Sequence, residues 1–258
     1  MPAQYSPIAP VHLLKQLDNV GALGPYLLLL AHDVLAHPKE YLELIESQLE
    51  THPNELFIIM DNGVIEKGAP VSLNNLLEAA DLVEANVVVG PDIVGNLKGT
   101  KALMMEQADF IKEDYSLMFI PQGGNFAEIF DCIDWYTERF PEIAHSDAPS
   151  YWGIPRWVAN ELGSRHTIVN DIITYDEQAK IHLLGMSYNL RDDLATCLHP
   201  NVMGIDSANP LVLGHRGYRI YQDSEHYPRE NFWDECLEVN ADMLHNVRWV
   251  QGALNAGQ

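Results

Sequence analysis

The chain alternates between two kinds of segment. Short apolar runs at 26–33, 56–61, 86–90, 117–121, 150–154, 181–185 and 202–205 are separated by stretches of helical spacing at 38–50, 73–80, 99–113, 125–139, 154–162, 171–178 and 190–198. Runs rich in Val, Ile and Leu with little polar alternation suit strands of a parallel sheet covered on both faces. Strands that alternate with helices define an α/β fold. Seven such units in about 180 residues, with a weak eighth strand at 211–213, favour a closed (β/α)8 TIM barrel over an open sheet. The open doubly wound alternative lacks its phosphate-binding fingerprint, because Leu30-Ala-His-Asp33 is not G-x-G-x-x-G. At 258 residues the chain has the length of one such barrel. We expect a single compact domain, with a barrel core at about 25–215 and closing helices at 225–258 that carry Trp233, Leu237, Met243, Val247 and Trp249.

Three of the apolar runs break into a carboxylate: Leu56-Phe-Ile-Ile-Met-Asp61, Asn86-Val-Val-Val-Gly-Pro-Asp92 and Val202-Met-Gly-Ile-Asp206. Active sites of such barrels lie at the C-terminal ends of the strands, so these acids are expected to share one rim. Gln122, Gly123, Gly124, Trp152, Gly153, Gly185 and Ser207 follow other runs and join them. Carboxylate, carboxamide and glycine backbone amides together suit a flat heterocycle: the acid accepts ring N–H groups, the amide both donates and accepts, and glycine permits close approach. A further carboxylate is placed to attack a sugar carbon.

The formal charge of −22 opposes a bare nucleic-acid surface, where phosphate contacts supply much of the affinity. A local basic strip, a partner protein or a second subunit would have to compensate. The most basic short stretch is Gly214-His-Arg-Gly-Tyr-Arg-Ile220; His215 and Arg216, with Arg156 after an earlier run, are the candidate phosphate contacts. The same stretch also suits pairing with Asp223 or Glu225. No apolar run approaches the roughly 20 residues of a membrane span, and the N-terminus lacks a basic-then-apolar leader. Cys132, Cys197 and Cys236 are few, odd in number and far apart, which reads as reduced thiols in a cytoplasmic protein.

Taken in order, Asp61-Asn-Gly63, Pro91-Asp92, Pro121-Gln122-Gly-Gly124 and Gly204-Ile-Asp206 resemble the site motifs of the tRNA-guanine transglycosylases. Ile181-His-Leu-Leu-Gly185-Met is similar to that family's His/Tyr-Leu-Met/Leu-Gly strand, and the matches span Asp61 to Pro210. The short loops Asp61-Asn-Gly-Val-Ile-Glu66 and Trp152-Gly-Ile-Pro-Arg156 look most like the compact DNA-modifying branch, DpdA-type and often phage-encoded. The resemblance implies exchange of guanine in DNA for a free 7-deazaguanine base, such as 7-cyano-7-deazaguanine, through a covalent enzyme–sugar intermediate and without a cofactor. It implies Asp206 as nucleophile, Asp61 as general acid/base, Asp92 and Gln122 on the base edge, and the Gly153 amide on its carbonyl. For a phage protein the compartment would be the host cytoplasm.

The chain departs from the tRNA enzymes in two places. Their Cys-x-Cys-x-x-Cys and His zinc cluster is missing, since Cys236 alone follows Asp206, which weighs against tRNA as substrate. Asn62-Gly63-Val64 also replaces their Ser-Gly-Gly. His32 and Asp33 suit either a sugar contact or a helix cap; Tyr151 and Trp152 suit either base stacking or core filling; Met104, Met105 and Met118 read as core. The competing activities are hydrolysis of a 7-deazapurine nucleoside or nucleotide on the same barrel, guanine exchange in tRNA, and a non-catalytic scaffold.

Overall fold

The computed structural model describes residues 2–63, 68, 70–141, 143, 148–220 and 236–256. Eight strands, all parallel, form one sheet: β1 (Gln4–Pro7), β2 (Tyr26–Leu30), β3 (Phe57–Asp61), β4 (Val87–Val89), β5 (Ser116–Phe119), β6 (Tyr151–Pro155), β7 (Lys180–Leu184) and β8 (Val202–Ser207). Their order, β1-β8-β7-β6-β5-β4-β3-β2, wraps the sheet until its two ends meet. At the β1–β2 seam the Leu28 N–H donates to the Ser6 hydroxyl at 2.7 Å, so a side chain bridges the two ends. This is a (β/α)8 TIM-type barrel in a single domain.

Two boundaries differ from the sequence reading. The first strand is Gln4–Pro7, which brings the barrel's start back to residue 4. Its polar Gln4 and Ser6, and its four-residue length, hide it from an apolar-run search. The expected strand at 211–213 lies instead within a helix, Asn209–His215, whose residues Asn209 to Gly214 are all buried. A helix covered on every side shows the same apolar run as a buried strand, and periodicity does not separate them.

The helices are α1 (Val11–Asn19), α2 (Ala31–Ala36), α3 (Pro38–Thr51), α4 (Leu73–Leu82), α5 (Leu97–Asp114), α6 (Phe126–Arg139), a π-helical turn (Val158–Leu162), α7 (His166–Tyr175), α8 (Leu190–Thr196), α9 (Asn209–His215) and α10 (Ala241–Ala256). The closing helices expected at 225–258 are represented by α10, and 225–235 lie outside the described residues. Four helices open on a side-chain cap: Ser72, Asn96, Asn125 and Asn189 each accept the N–H three residues on. Such caps satisfy orphan amides at about 1 kcal/mol each and fix where each βα loop turns. The rim of the barrel is thereby set by local chemistry.

Inside the barrel, residues of alternate parity point inward. Tyr26, Leu28 and Leu30 of β2 pair in register with Phe57, Ile59 and Asp61 of β3. The lowest layer is aromatic: Tyr26 and Phe57 stack with centroids 5.7 Å apart, and Phe57 meets Tyr151 at 6.0 Å. Two layers higher the same parity delivers Leu30 and Asp61 to the open end. Trp152, by contrast, faces outward into the fully buried layer beneath the helices, against Phe119 and Tyr136, with its N–H on the Ser150 hydroxyl. It is core, as are Met104 and Met118, whereas Met105 is exposed on α5.

Candidate active site at the barrel mouth

A cavity of about 270 Å³ opens at the C-terminal ends of the strands. Its walls are mainly apolar, from Ile8, Leu28, Leu30, Val89 and Leu184, and its polar groups are few: Asp61, Asp92, Arg156 and Asp206 among them. Small-ligand pockets run from roughly 300 to 1,000 Å³, so this one is near the lower end, the scale of one heterocycle.

Asp206 is the penultimate residue of β8 and is 7% exposed. Among the described residues, both of its hydrogen bonds go to one oxygen. Oδ1 accepts the Gly185 N–H at 2.8 Å and lies 3.0 Å from His182 Nε2. Gly185 reaches it from the turn after β7 in the left-handed region (φ +70°), where a side chain would be strained and would press on the Arg156 stem.

Asp92 is held differently. Its Oδ1 accepts from Asn62 Nδ2 at 3.2 Å and its Oδ2 from Gln122 Nε2 at 2.6 Å. Burial raises its pKa above the ordinary value, and these two bonds oppose the rise. Gln122 is wholly buried, and its Oε1 accepts from the Gly95 N–H and the Trp157 indole N–H, both at 2.9 Å. Its amide is thus largely committed to protein groups, and it aims Asp92 while lining the cavity itself.

Asp61 lines the cavity at the end of β3, half-buried, with the Gly63 N–H at 3.4 Å from its Oδ1. Arg156, directly after β6, lines the same cavity. Asp61, Asp92, Gln122, Arg156 and Asp206 are therefore together.

The remaining candidates stand elsewhere. Gly153 lies within β6, paired in register with His182, and is not part of the cavity wall. Its missing Cβ would sit 2.5 Å from Ile120 Cδ1 and 2.8 Å from Leu184 Cδ1, so a side chain there would make these interior side chains shift. His215 and Arg216 close α9, roughly 9 Å of helical rise beyond Asn209, and do not line the cavity. Arg219 pairs with Asp242 of α10 at 2.8 Å, and the expected partners Asp223 and Glu225 lie outside the described residues. His32 and Asp33 belong to α2, where Asp33 accepts the Tyr41 hydroxyl at 2.6 Å.

Four supporting residues carry no role in the sequence reading. Trp157, rather than Trp152, lines the cavity. Tyr26 and His182 stand behind Asp206; the signal for Tyr26 is the inward parity of a titratable side chain in an apolar strand, and His182 also stands at the His/Tyr position of the Ile181-His-Leu-Leu-Gly185-Met motif. Arg165, fully buried, donates to Asp193 and to the carbonyls of Ile154, Leu184 and Gly185. Asp193 in turn accepts the Ser187 N–H at 2.6 Å, so this ion pair ties the ends of β6 and β7 to the Gly185 turn. Among the described residues no group of three His, Cys, Asp or Glu side chains is arranged to hold a metal, and no helix is long and apolar enough to cross a membrane.

Compared with known proteins, the chain matches no family model and no curated sequence. Any assignment of activity therefore draws on the site chemistry and the motif order alone.

Proposed function

We propose that the chain is a base-exchange transglycosylase that replaces guanine in DNA with a 7-deazaguanine through a covalent Asp206–sugar intermediate. The observation that carries this reading is the state of Asp206. It lines a cavity of single-base size, with one oxygen doubly anchored and the other without a protein hydrogen bond among the described residues. A buried carboxylate with one oxygen held and one open suits attack on an anomeric carbon. Asp61 on the same wall is the group to protonate the departing base nitrogen and to take the proton from the incoming one. Asp92, aimed by Asn62 and Gln122, accepts paired N–H groups from the base edge. Trp157, its N–H pinned to Gln122, lines the cavity and is the aromatic group to stack on the ring.

DNA as substrate is favoured by the motif resemblance and by the missing zinc cluster. The target guanine must leave the stack to reach such a cavity. With −22 net charge, a groove near Arg156 or a partner protein supplies the phosphate contacts. A second reading, hydrolysis of a 7-deazapurine nucleoside or nucleotide, is favoured by that same charge, since a small substrate needs no phosphate track.

Incubation of radiolabelled guanine with duplex DNA, single-stranded DNA and tRNA, and of a 7-deazaguanine nucleoside in parallel, each with the wild-type chain and Asp206→Asn, separates these readings. Label entering DNA but not tRNA, and lost in the variant, is the expected result. Free base released from a nucleoside, with no label in any polymer, would replace exchange by hydrolysis.

A further inference from the structure

Behind Asp206 lies a layer of buried polar groups that the chemistry above leaves unused. His182 on β7 is wholly buried and Tyr26 on β2 nearly so, and neither lines the cavity. Tyr26 Oη is 2.7 Å from His182 Nδ1, and His182 Nε2 is 3.0 Å from Asp206 Oδ1. Gly204, two residues before Asp206, leaves room for this arrangement: a Cβ there would fall 2.5 Å from the Tyr26 ring.

The proton positions follow from donor and acceptor counting. A neutral imidazole carries one N–H. Burial first, and the Asp206 charge second, push the Tyr26 hydroxyl well above its ordinary pKa, so it stays a donor. With the Tyr26 O–H donating to an unprotonated Nδ1, the imidazole proton sits on Nε2 and points at Asp206. The opposite tautomer would set a bare nitrogen lone pair against a carboxylate oxygen at 3.0 Å in a buried site, at the cost of an unmade buried hydrogen bond.

We infer that Tyr26 and His182 form a positioning relay that makes Asp206 one-sided, with Oδ1 receiving the His182 Nε2–H and the Gly185 N–H while Oδ2 is the oxygen that reacts. The chemical consequence rests on the transglycosylase reading; the tautomer does not. In the first step the Oδ2–C1′ bond forms as C1′–N9 breaks, and the leaving guanine takes the bonding pair and a proton from Asp61. Oδ1 is then the carbonyl oxygen of a glycosyl ester. In the second step N9 of the incoming base, losing its proton to Asp61, bonds to C1′ as C1′–Oδ2 breaks. The returning pair spreads onto Oδ1, where two donors already point. Donors preset where charge develops stabilise that departure. His182 therefore assists breakdown of the intermediate more than its formation, since the same donors draw charge from the attacking carboxylate.

The first test is independent of substrate. The whole chain, labelled with 15N-histidine, is examined by long-range 1H–15N NMR, with the His182 signal assigned by its loss in His182→Gln. A neutral Nε2–H tautomer is expected; an Nδ1–H tautomer, or a mixture of the two, overturns the relay. The second test follows protein–DNA adduct on denaturing gels for His182→Phe and Tyr26→Phe, each checked for folding by thermal melt. Turnover is expected to fall roughly 100-fold in His182→Phe, as for a lost transition-state donor, and roughly tenfold in Tyr26→Phe, one hydrogen bond's worth. In both, the fraction trapped as adduct rises. Adduct falling in step with turnover would reduce His182 to a packing role and overturn the inference, and Tyr26→Phe decides it if His182→Phe does not fold. A wild-type chain with neither adduct nor exchange refutes the transglycosylase reading, while the NMR result still decides the relay.

Discussion

Replacing Arg165 by Met removes a buried charge whose guanidinium ties the ends of β6 and β7 to the Gly185 turn. Both side chains of the Arg165–Asp193 pair have no exposed surface. The substitution keeps much of the side-chain volume but leaves the Asp193 carboxylate buried with the Ser187 N–H at 2.6 Å as its remaining close donor in the loop. It also strips a donor from the carbonyls of Gly185 at 2.8 Å, Ile154 at 3.3 Å and Leu184 at 3.4 Å. Breaking a buried pair from one side costs about 3–5 kcal/mol, chiefly through the uncompensated charge. At about 2–4 °C per kcal/mol for a domain of this size, the midpoint should fall by roughly 6–20 °C. Urea unfolding followed by tryptophan fluorescence measures the loss directly. The double variant Arg165→Met/Asp193→Leu removes both charges, and should recover at least half of the loss, because the cost belongs to the stranded charge. A single-variant loss below about 1 kcal/mol, or a double-variant loss equal to the sum of the two singles, would refute the assignment.

Three further outcomes test other parts of the structure. Asp92 has a folded-state pKa raised above its ordinary 3.8 by burial, so the folded chain holds this proton more tightly than the unfolded one. Its contribution to stability therefore declines as pH rises from about 3.8 through that higher value, and pH-dependent melts should show the decline in the wild type but not in Asp92→Asn. Gly204→Ala places a Cβ 2.5 Å from both the Gln4 carbonyl oxygen and the Tyr26 ring; an overpacking loss of about 1–3 kcal/mol is expected in urea titrations, and an unchanged midpoint would contradict the close approach. Burial pushes the Cys132 thiol up to about 11 and the Cys197 thiol up to about 12, and raises Cys236 as well. A thiol reagent at pH 8 should thus label none of them quickly in the folded chain and all three after denaturation.

The parts of the fold legible in the sequence are those where local pattern and burial agree. Parallel strands buried on both faces read as continuous apolar runs, and seven of the eight were visible that way, with ends displaced by only a few residues. β1 was missed because Gln4 and Ser6 are polar, and the Ser6 hydroxyl earns its place only through the Leu28 amide, 22 positions away, at the barrel seam. Leu211 to Leu213 was misread because a helix buried on all sides carries no polar stripe to mark its period. The rim acids Asp61, Asp92 and Asp206 were legible because a carboxylate after an apolar strand has a known direction to point in a barrel. Gly153 lies within β6 and off the cavity wall; a glycine that faces the barrel interior and one that offers its backbone at the rim look alike in a sequence.

By itself, then, the sequence determined the barrel, the end at which its chemistry sits and the acids that reach that end, since strand period and βα order are local properties. Tertiary structure alone decided what each acid touches. Asp206 meets His182 and Gly185 across β7, Asp92 meets Asn62 and Gln122 from neighbouring strand ends, and Arg165 meets Asp193 from a different loop. Each of these contacts joins residues 20 to 30 positions apart, one barrel unit along the chain. Closure of the sheet brings adjacent units side by side, and no local pattern records which side chains then face each other.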